Sequence, residues 1–144
     1  MFILHTQLLQ DTYYIGKLPL SRVLLMNNKL FPWVILVPEI ENKTELFELQ
    51  AKEQKMLIEE TSAIAKAIKK LYWADKMNIA TLGNQVEQLH IHIIARFKTD
   101  ECWPAPVWGK GIKQYDEKSA EETINKIRDI CANLKGFNAI ANIP

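Results

Sequence analysis

The chain is poor in the features that mark whole classes of protein. Its 144 residues include only two cysteines, five glycines and three histidines. Cys102 and Cys131 stand alone, without CxxC spacing, so both read as reduced thiols of a cytoplasmic protein. No sign of charge dominates: 18 Lys+Arg meet 17 Asp+Glu, a formal +1. That balance argues against a nucleic-acid clamp, because phosphate contacts need a basic face. No block of like charge marks a tail or a membrane patch. No apolar run approaches the roughly 20 residues of a membrane span. The opening stretch, Met1 to Gln7, has no basic start, long apolar run or cleavage site, so no secretory leader is expected. Repeats, low-complexity segments and linkers are lacking too, and one domain over 1–144 is expected. What remains, 48% hydrophobic and 24% charged residues, suits one globular domain with a core of its own.

Three strands are predicted first: Thr12–Leu18, closed by Pro19, then Ser21–Asn27, then Trp33–Val37 up to Pro38. The turn chemistry of Asn27-Asn28-Lys29 separates the last two. The third run is almost wholly apolar, as a strand buried on both faces must be. Between Thr44 and Tyr72 there is neither Gly nor Pro. Met56, Leu57, Ala63, Ile64, Ala67, Ile68 and Leu71 recur there at three-and-four spacing, the stripe of an amphipathic helix. Glu residues early and Lys residues late suit the helix dipole. The main helix is placed at about 51–72, with a separate turn near 44–49. Strands at Met77–Leu82 and Gln88–Arg96 follow, joined by the loop Gly83-Asn84-Gln85-Val86-Glu87. The Trp/Pro/Gly-rich stretch Trp103 to Gly109 is too turn-laden for regular structure. Ser119 is read as the cap of a last helix running to about Leu134, with Gly136 beyond it. This order predicts an α+β fold with a mainly antiparallel sheet of about five strands.

One segment carries chemistry: Gln88-Leu89-His90-Ile91-His92-Ile93-Ile94. On a strand, alternate side chains face opposite sides. Leu89, Ile91 and Ile93 then point to a core, and Gln88, His90 and His92 form a polar row, about 6.6–7 Å between successive members. A neutral imidazole is a competent nucleophile near pH 7. One histidine can attack phosphorus, the next can protonate a leaving group, and water completes the cycle. The preceding Gly/Asn/Gln loop offers backbone N–H groups and amides to a phosphate. Three plainer readings stand beside this one: a half-exposed strand that happens to carry histidines, a zinc site, and a pH-sensitive structural pair. The zinc reading lacks a third ligand on the right face, since Glu87 alternates away and Asp100 and Cys102 lie beyond the strand.

The same seven residues resemble the histidine triad (HIT) signature, His-φ-His-φ-His-φ-φ with φ apolar. The strand ending Ile35-Leu36-Val37-Pro38, the helix after it, the Asn78-to-Gln85 approach and Trp103-Pro104 agree with that family. The resemblance covers about 10–108, leaving a C-terminal helical extension over about 117–136. It implies the HIT-like fold and a nucleotidyl hydrolase or transferase acting at the α-phosphate of nucleotide conjugates: dinucleoside polyphosphates, nucleoside phosphoramidates or aminoacyl-adenylates. It places the nucleophile on His90 and the phosphate and leaving-group contact on His92. Gln85, with Asn84 beside it, falls at the phosphate-touching position, and Asn27 falls near the ribose-binding residue. No metal or cofactor is implied. A small-molecule nucleotide is the implied partner, and a homodimer through the main helix and a sheet edge the implied assembly. The departure is Gln88, where the first triad histidine would stand: its amide can hold the array in place but carries no proton. A nucleotide-binding module with little or no catalysis is the alternative that this substitution raises. Trp33 is read either as a core aromatic or as a base-stacking one, Trp103 and Trp108 as cover for the site or as dimer contacts, and His5 as a surface or strand residue without a catalytic part.

Overall fold

A computed structural model describes residues 1–139. Five strands, β1 (Thr12–Lys17), β2 (Ser21–Met26), β3 (Trp33–Pro38), β4 (Lys76–Ala80) and β5 (Ile91–Arg96), form one antiparallel sheet in the order β1-β2-β3-β5-β4. Helix α1 (Thr6–Asp11) precedes the sheet, α2 (Ala51–Tyr72) joins β3 to β4, and α3 (Glu117–Cys131) follows β5. A short 3-10 turn, Leu46–Glu48, leads into α2. The α+β architecture and its antiparallel sheet are those expected. Among the described residues, no helix is long and apolar enough to cross a membrane.

Helix α2 starts at a reciprocal cap between Gln50 and Glu53, and it stops where Trp73 turns left-handed, at φ 55°. Its stripe of Leu57, Ile64, Ala65 and Ile68 packs on Val23, Leu25, Val34, Leu36, Ile91 and Ile93, with Ile127 and Cys131 of α3 completing that layer. The sheet's other face is covered as well. Leu4, Leu8, Phe31, Val86 and Val107 lie against Leu24, Trp33, Ile35, Val37 and Ile94. Burial on both faces is why β3 reads as an unbroken apolar run and β2 is apolar from Val23 onward, each large side chain stabilising the fold by about 1.5–3 kcal/mol.

Several boundaries differ from the sequence reading, each for a local reason. Helix α1 was not expected: it is six residues long, and its cap is His5, whose ring Nδ1 accepts from Gln7 N at 3.0 Å. Imidazole is outside the usual set of capping side chains. Strand β5 begins at Ile91 rather than Gln88, because Leu89 N donates to Lys43 O in a neighbouring loop instead of joining the ladder. Strand β4 spans Lys76–Ala80 rather than 77–82. The last helix is capped by Asp116, whose side chain accepts from Ser119 N at 2.7 Å, so Ser119 lies inside the first turn.

The two edges of the sheet are finished differently. Along β1, Arg128 of α3 donates to the carbonyls of Tyr14 and Ile15 at 3.0 and 2.9 Å, and Lys17 exchanges backbone hydrogen bonds with Asn138. Strand β4 is the other edge, and its Ile79 side chain is 51% exposed.

Candidate functional site

The site lies on the sheet face opposite α2, where β5 enters the sheet. Ile91 and Ile93 point to the helices, while His92 points to the other side, as the period of two requires. His90 sits one residue ahead of the strand but keeps to the His92 side. The two rings meet edge to face, centroids 4.7 Å apart and planes at 71°. Each residue is 5% exposed.

Hydrogen bonds fix the tautomer of both rings. His90 Nδ1 lies 2.6 Å from the backbone carbonyl of Gln88, which can only accept. Nδ1 therefore carries the proton and Nε2 holds a free lone pair. Burial, and then the charge of His5, lower the pKa of His90, the bond to Gln88 O opposing them. The ring is neutral at neutral pH, and its Nε2 is unprotonated.

His92 is held the other way round. Trp33 Nε1 donates to His92 Nδ1 at 3.0 Å, so Nδ1 is the acceptor. Its Nε2 then carries the proton and donates to Leu82 O at 2.9 Å. Burial is the main cause that lowers its pKa to about 4, the positive form of His90 adding to it and the Leu82 bond opposing. Both ring nitrogens are taken by the protein. The expected proton donor to a leaving group is thus, in this structure, a neutral ring locked between an indole and a carbonyl.

Gln88 is also engaged elsewhere. Its Oε1 accepts from His5 N and its Nε2 donates to Ile3 O, both at 2.9 Å. The amide matches a peptide group edge to edge, which an imidazole cannot do with both partners on one strand of backbone. So the side chain holds the N-terminal arm, while the backbone carbonyl of the same residue orients the His90 ring.

A cleft of about 500 Å³ opens above the two histidines. The loop of Gly83, Asn84, Gln85 and Val86 forms one wall, and Gln7, Leu8 and Asp11 of α1 form another. Gly83 is required by close approach: a Cβ there would lie 2.7 Å from Val86 O and 3.4 Å from His90 Cε1. Asn84 and Gln85 line the cleft, with exposed side chains. Asn27 does not. Its Oδ1 accepts from Tyr115 N at 2.9 Å, and the neighbouring Asn28 lines the cleft instead, 1% exposed, with Oδ1 accepting from Leu30 N and Lys113 N. Of the Asn-Asn pair that follows β2, the structure thus places the second, not the first, beside the cleft.

The tryptophans divide. Trp33 is 3% exposed and bonds His92, so it is neither a plain core aromatic nor an open stacking surface. Trp108 stands edge-on to both Trp33 (5.6 Å) and His92 (5.1 Å) and lines the cleft. Trp103 packs away from it, near the Arg96 guanidinium, which is bound to Asp100, Asn78 and Ala105 O. The sequence reading missed α1 as a cleft wall and Leu82 O as a ring partner. A backbone carbonyl leaves no trace in residue identity. Among the described residues, no group of three His, Cys, Asp or Glu side chains is placed to hold a metal ion.

Comparison with known proteins gives one family. The family model described as the HIT domain matches residues 8–99. A histidine triad protein from Marinobacter aquaeolei VT8 has a crystal structure 42% identical in sequence, with TM-score 0.90, covering 93% of this chain and 98% of that one. A histidine triad (HIT) protein from Sinorhizobium meliloti 1021 is also 42% identical, with TM-score 0.87, over 90% of this chain and 96% of that one. Plasmodium falciparum diadenosine triphosphate hydrolase shares the fold at 19% identity and TM-score 0.60, over 86% of each chain. No curated protein sequence matches.

Proposed function

The chain belongs to the histidine triad family, and from that premise we propose that it is a hydrolase or nucleotidyl transferase acting at the α-phosphate of a nucleotide conjugate. One observation carries the reading. His90 Nε2 is a free lone pair on a buried, neutral ring at the floor of a cleft, with a tight Gly/Asn/Gln loop beside it. Its lone pair attacks phosphorus and displaces the leaving group, and water releases the nucleotide from the histidine. Asn84, Gln85 and the loop's backbone hold the phosphate oxygens without net charge. The nucleoside occupies the larger, apolar part of the cleft by Trp108, with Asn28 rather than Asn27 at the ribose. His92 positions the His90 ring by edge-to-face contact. Gln88 supports the array through its carbonyl. The substrate class is a dinucleoside polyphosphate or a nucleoside phosphoramidate.

The test is turnover of diadenosine polyphosphates and adenosine phosphoramidates by wild type and His90→Ala. A loss of at least a thousandfold and a labelled nucleotidyl adduct on wild type alone are expected. Equal rates would remove His90 from the nucleophile's place. A second reading, a nucleotide-binding module with little catalysis, is favoured by the full engagement of both His92 nitrogens, which leaves no proton donor in the histidine row. It predicts nucleotide affinity without an adduct.

We also propose a homodimer. Its support is the open β4 edge, together with a groove between α2 and β4 that presents Leu46, Ile58 and Ile79 at 41%, 61% and 51% exposure. Light scattering should return twice the 16.7 kDa chain mass, and the single mass would refute it.

A further inference from the structure

His90 borders two cavities. Besides the nucleotide cleft, the residue lines a second space of about 330 Å³, walled by Thr44, Glu45, Thr81, Asn84 and Glu87. The His90 residue is 5% exposed, and of its two ring nitrogens only Nδ1 has a hydrogen-bond partner among the described residues. A phosphorus within bonding reach of Nε2 therefore has two spaces for its substituents. One is the large cleft, lined by Trp33, Trp108, Ile35 and Val86, which suits a nucleoside. The other is small and polar, and it is acidic.

The charge of that second space is one-sided. Glu45 and Glu87 line it, and no Lys or Arg does. Neither carboxylate forms an ion pair among the described residues. Lys43, the nearest lysine along the chain, acts on Glu48. The Glu48 carboxylate is itself taken up by Thr44 N, Thr44 Oγ1 and Glu45 N, at 2.9, 3.0 and 2.8 Å. A polyphosphate leaving group would bring several negative charges against two unneutralised carboxylates, and like charges at close range repel.

On the footing of the hydrolase reading above, we propose that this second cavity is the leaving-group site, and that it selects nucleoside phosphoramidates whose departing amine bears a further positive charge over conjugates with an anionic leaving group. In the reaction the His90 Nε2 lone pair forms the new P–N bond. The old P–N bond breaks with its electron pair on the departing nitrogen, which takes a proton from solvent through the open mouth. Water then cleaves the bond between phosphorus and His90, giving the nucleoside monophosphate and returning a proton to solvent. The amine leaves as a cation between Glu45 and Glu87.

Three adenosine 5′-phosphoramidates test this on the full chain: the unsubstituted compound, one with a 2-aminoethyl leaving group, and one with a 2-carboxyethyl group of like size. Wild type should favour the aminoethyl over the carboxyethyl compound by about tenfold in kcat/KM, the scale of two exposed charge interactions. The double variant Glu45→Gln/Glu87→Gln should bring that ratio close to one. Equal rates or carboxyethyl preference in wild type overturns the proposal, as does a ratio the double variant leaves unchanged. Turnover of the unsubstituted compound without charge preference overturns this inference alone. No turnover of any of the three overturns this inference, and the hydrolase reading falls with it when diadenosine polyphosphates are left intact as well.

Discussion

The locked His92 ring makes the fold acid-sensitive by a calculable amount. In the unfolded chain its pKa returns to about 6.5, whereas in the fold it is lowered to about 4, chiefly by burial. Above pH 6.5 the ring is neutral in both states and contributes no pH dependence. Between the two values the unfolded chain binds a proton that the folded chain refuses, so stability falls as pH falls, and the loss levels off below the folded value. Linkage over that gap gives about 2 kcal/mol lost between pH 7.5 and pH 5 from this residue alone. His90, also lowered, adds in the same direction. Glu60, whose burial raises its pKa, acts in the opposite direction: it contributes stability at low pH that is lost as pH rises through its folded value. Comparison with His92→Asn isolates the ring, since both other groups remain. Urea midpoints of the two proteins at pH 7.5, 6.5 and 5 are the measurement. The variant should be less stable at neutral pH, having lost partners for Trp33 and Leu82, but its acid slope should be shallower by about 2 kcal/mol over the interval. Parallel slopes would show that the ring is protonated in the fold, and the tautomer argument would then be wrong.

Two further outcomes follow from close contacts. Asp100→Ala strips the carboxylate from Arg96, which is 1% exposed and bound through Nε and Nη2. A buried cation left without its partner should cost about 3–5 kcal/mol, read as a shift in the denaturation midpoint. Gly83→Ala puts a methyl 2.7 Å from Val86 O, so the Gly83–Val86 loop must move. Stability should drop by about 1–3 kcal/mol, and kcat/KM should fall at least tenfold with the His90 adduct still detectable. Unaltered kinetics would place the phosphate elsewhere.

Much of this architecture was legible because its signals are periodic. The stripe of Leu57, Ile64 and Ile68 marked α2 to the residue, and the apolar run of β3 marked a strand buried on both faces. The alternation through Ile91, His92 and Ile93 assigned the right face to each side chain. What escaped was non-periodic. A histidine cap on a six-residue helix lies outside the propensities that reveal longer helices. The choice between Asn27 and Asn28 depends on which amide turns toward Tyr115 N. The jobs of Gln88 and Trp33 depend on what the chain brings to them from 85 and 59 residues away. Such partners are set by tertiary packing, and nothing in the local sequence names them.

The unequal finishing of the sheet's margins bears on how far self-association can run. A chain with two bare strand margins can add copies at both ends and grow into a fibre. Here Arg128 holds the Tyr14 and Ile15 carbonyls and Asn138 pairs with Lys17 along β1, which leaves β4 as the more open margin among the described residues. In the proposed dimer, two copies joined through β4 by a two-fold axis would each cover the other's β4 margin, and growth would end there. Arg128→Ala would strip the guard from β1, and its signature would be a concentration-dependent rise in scattering beyond the two-chain mass. In the proposed dimer, the guanidinium on two backbone carbonyls would thus act as a terminator of assembly.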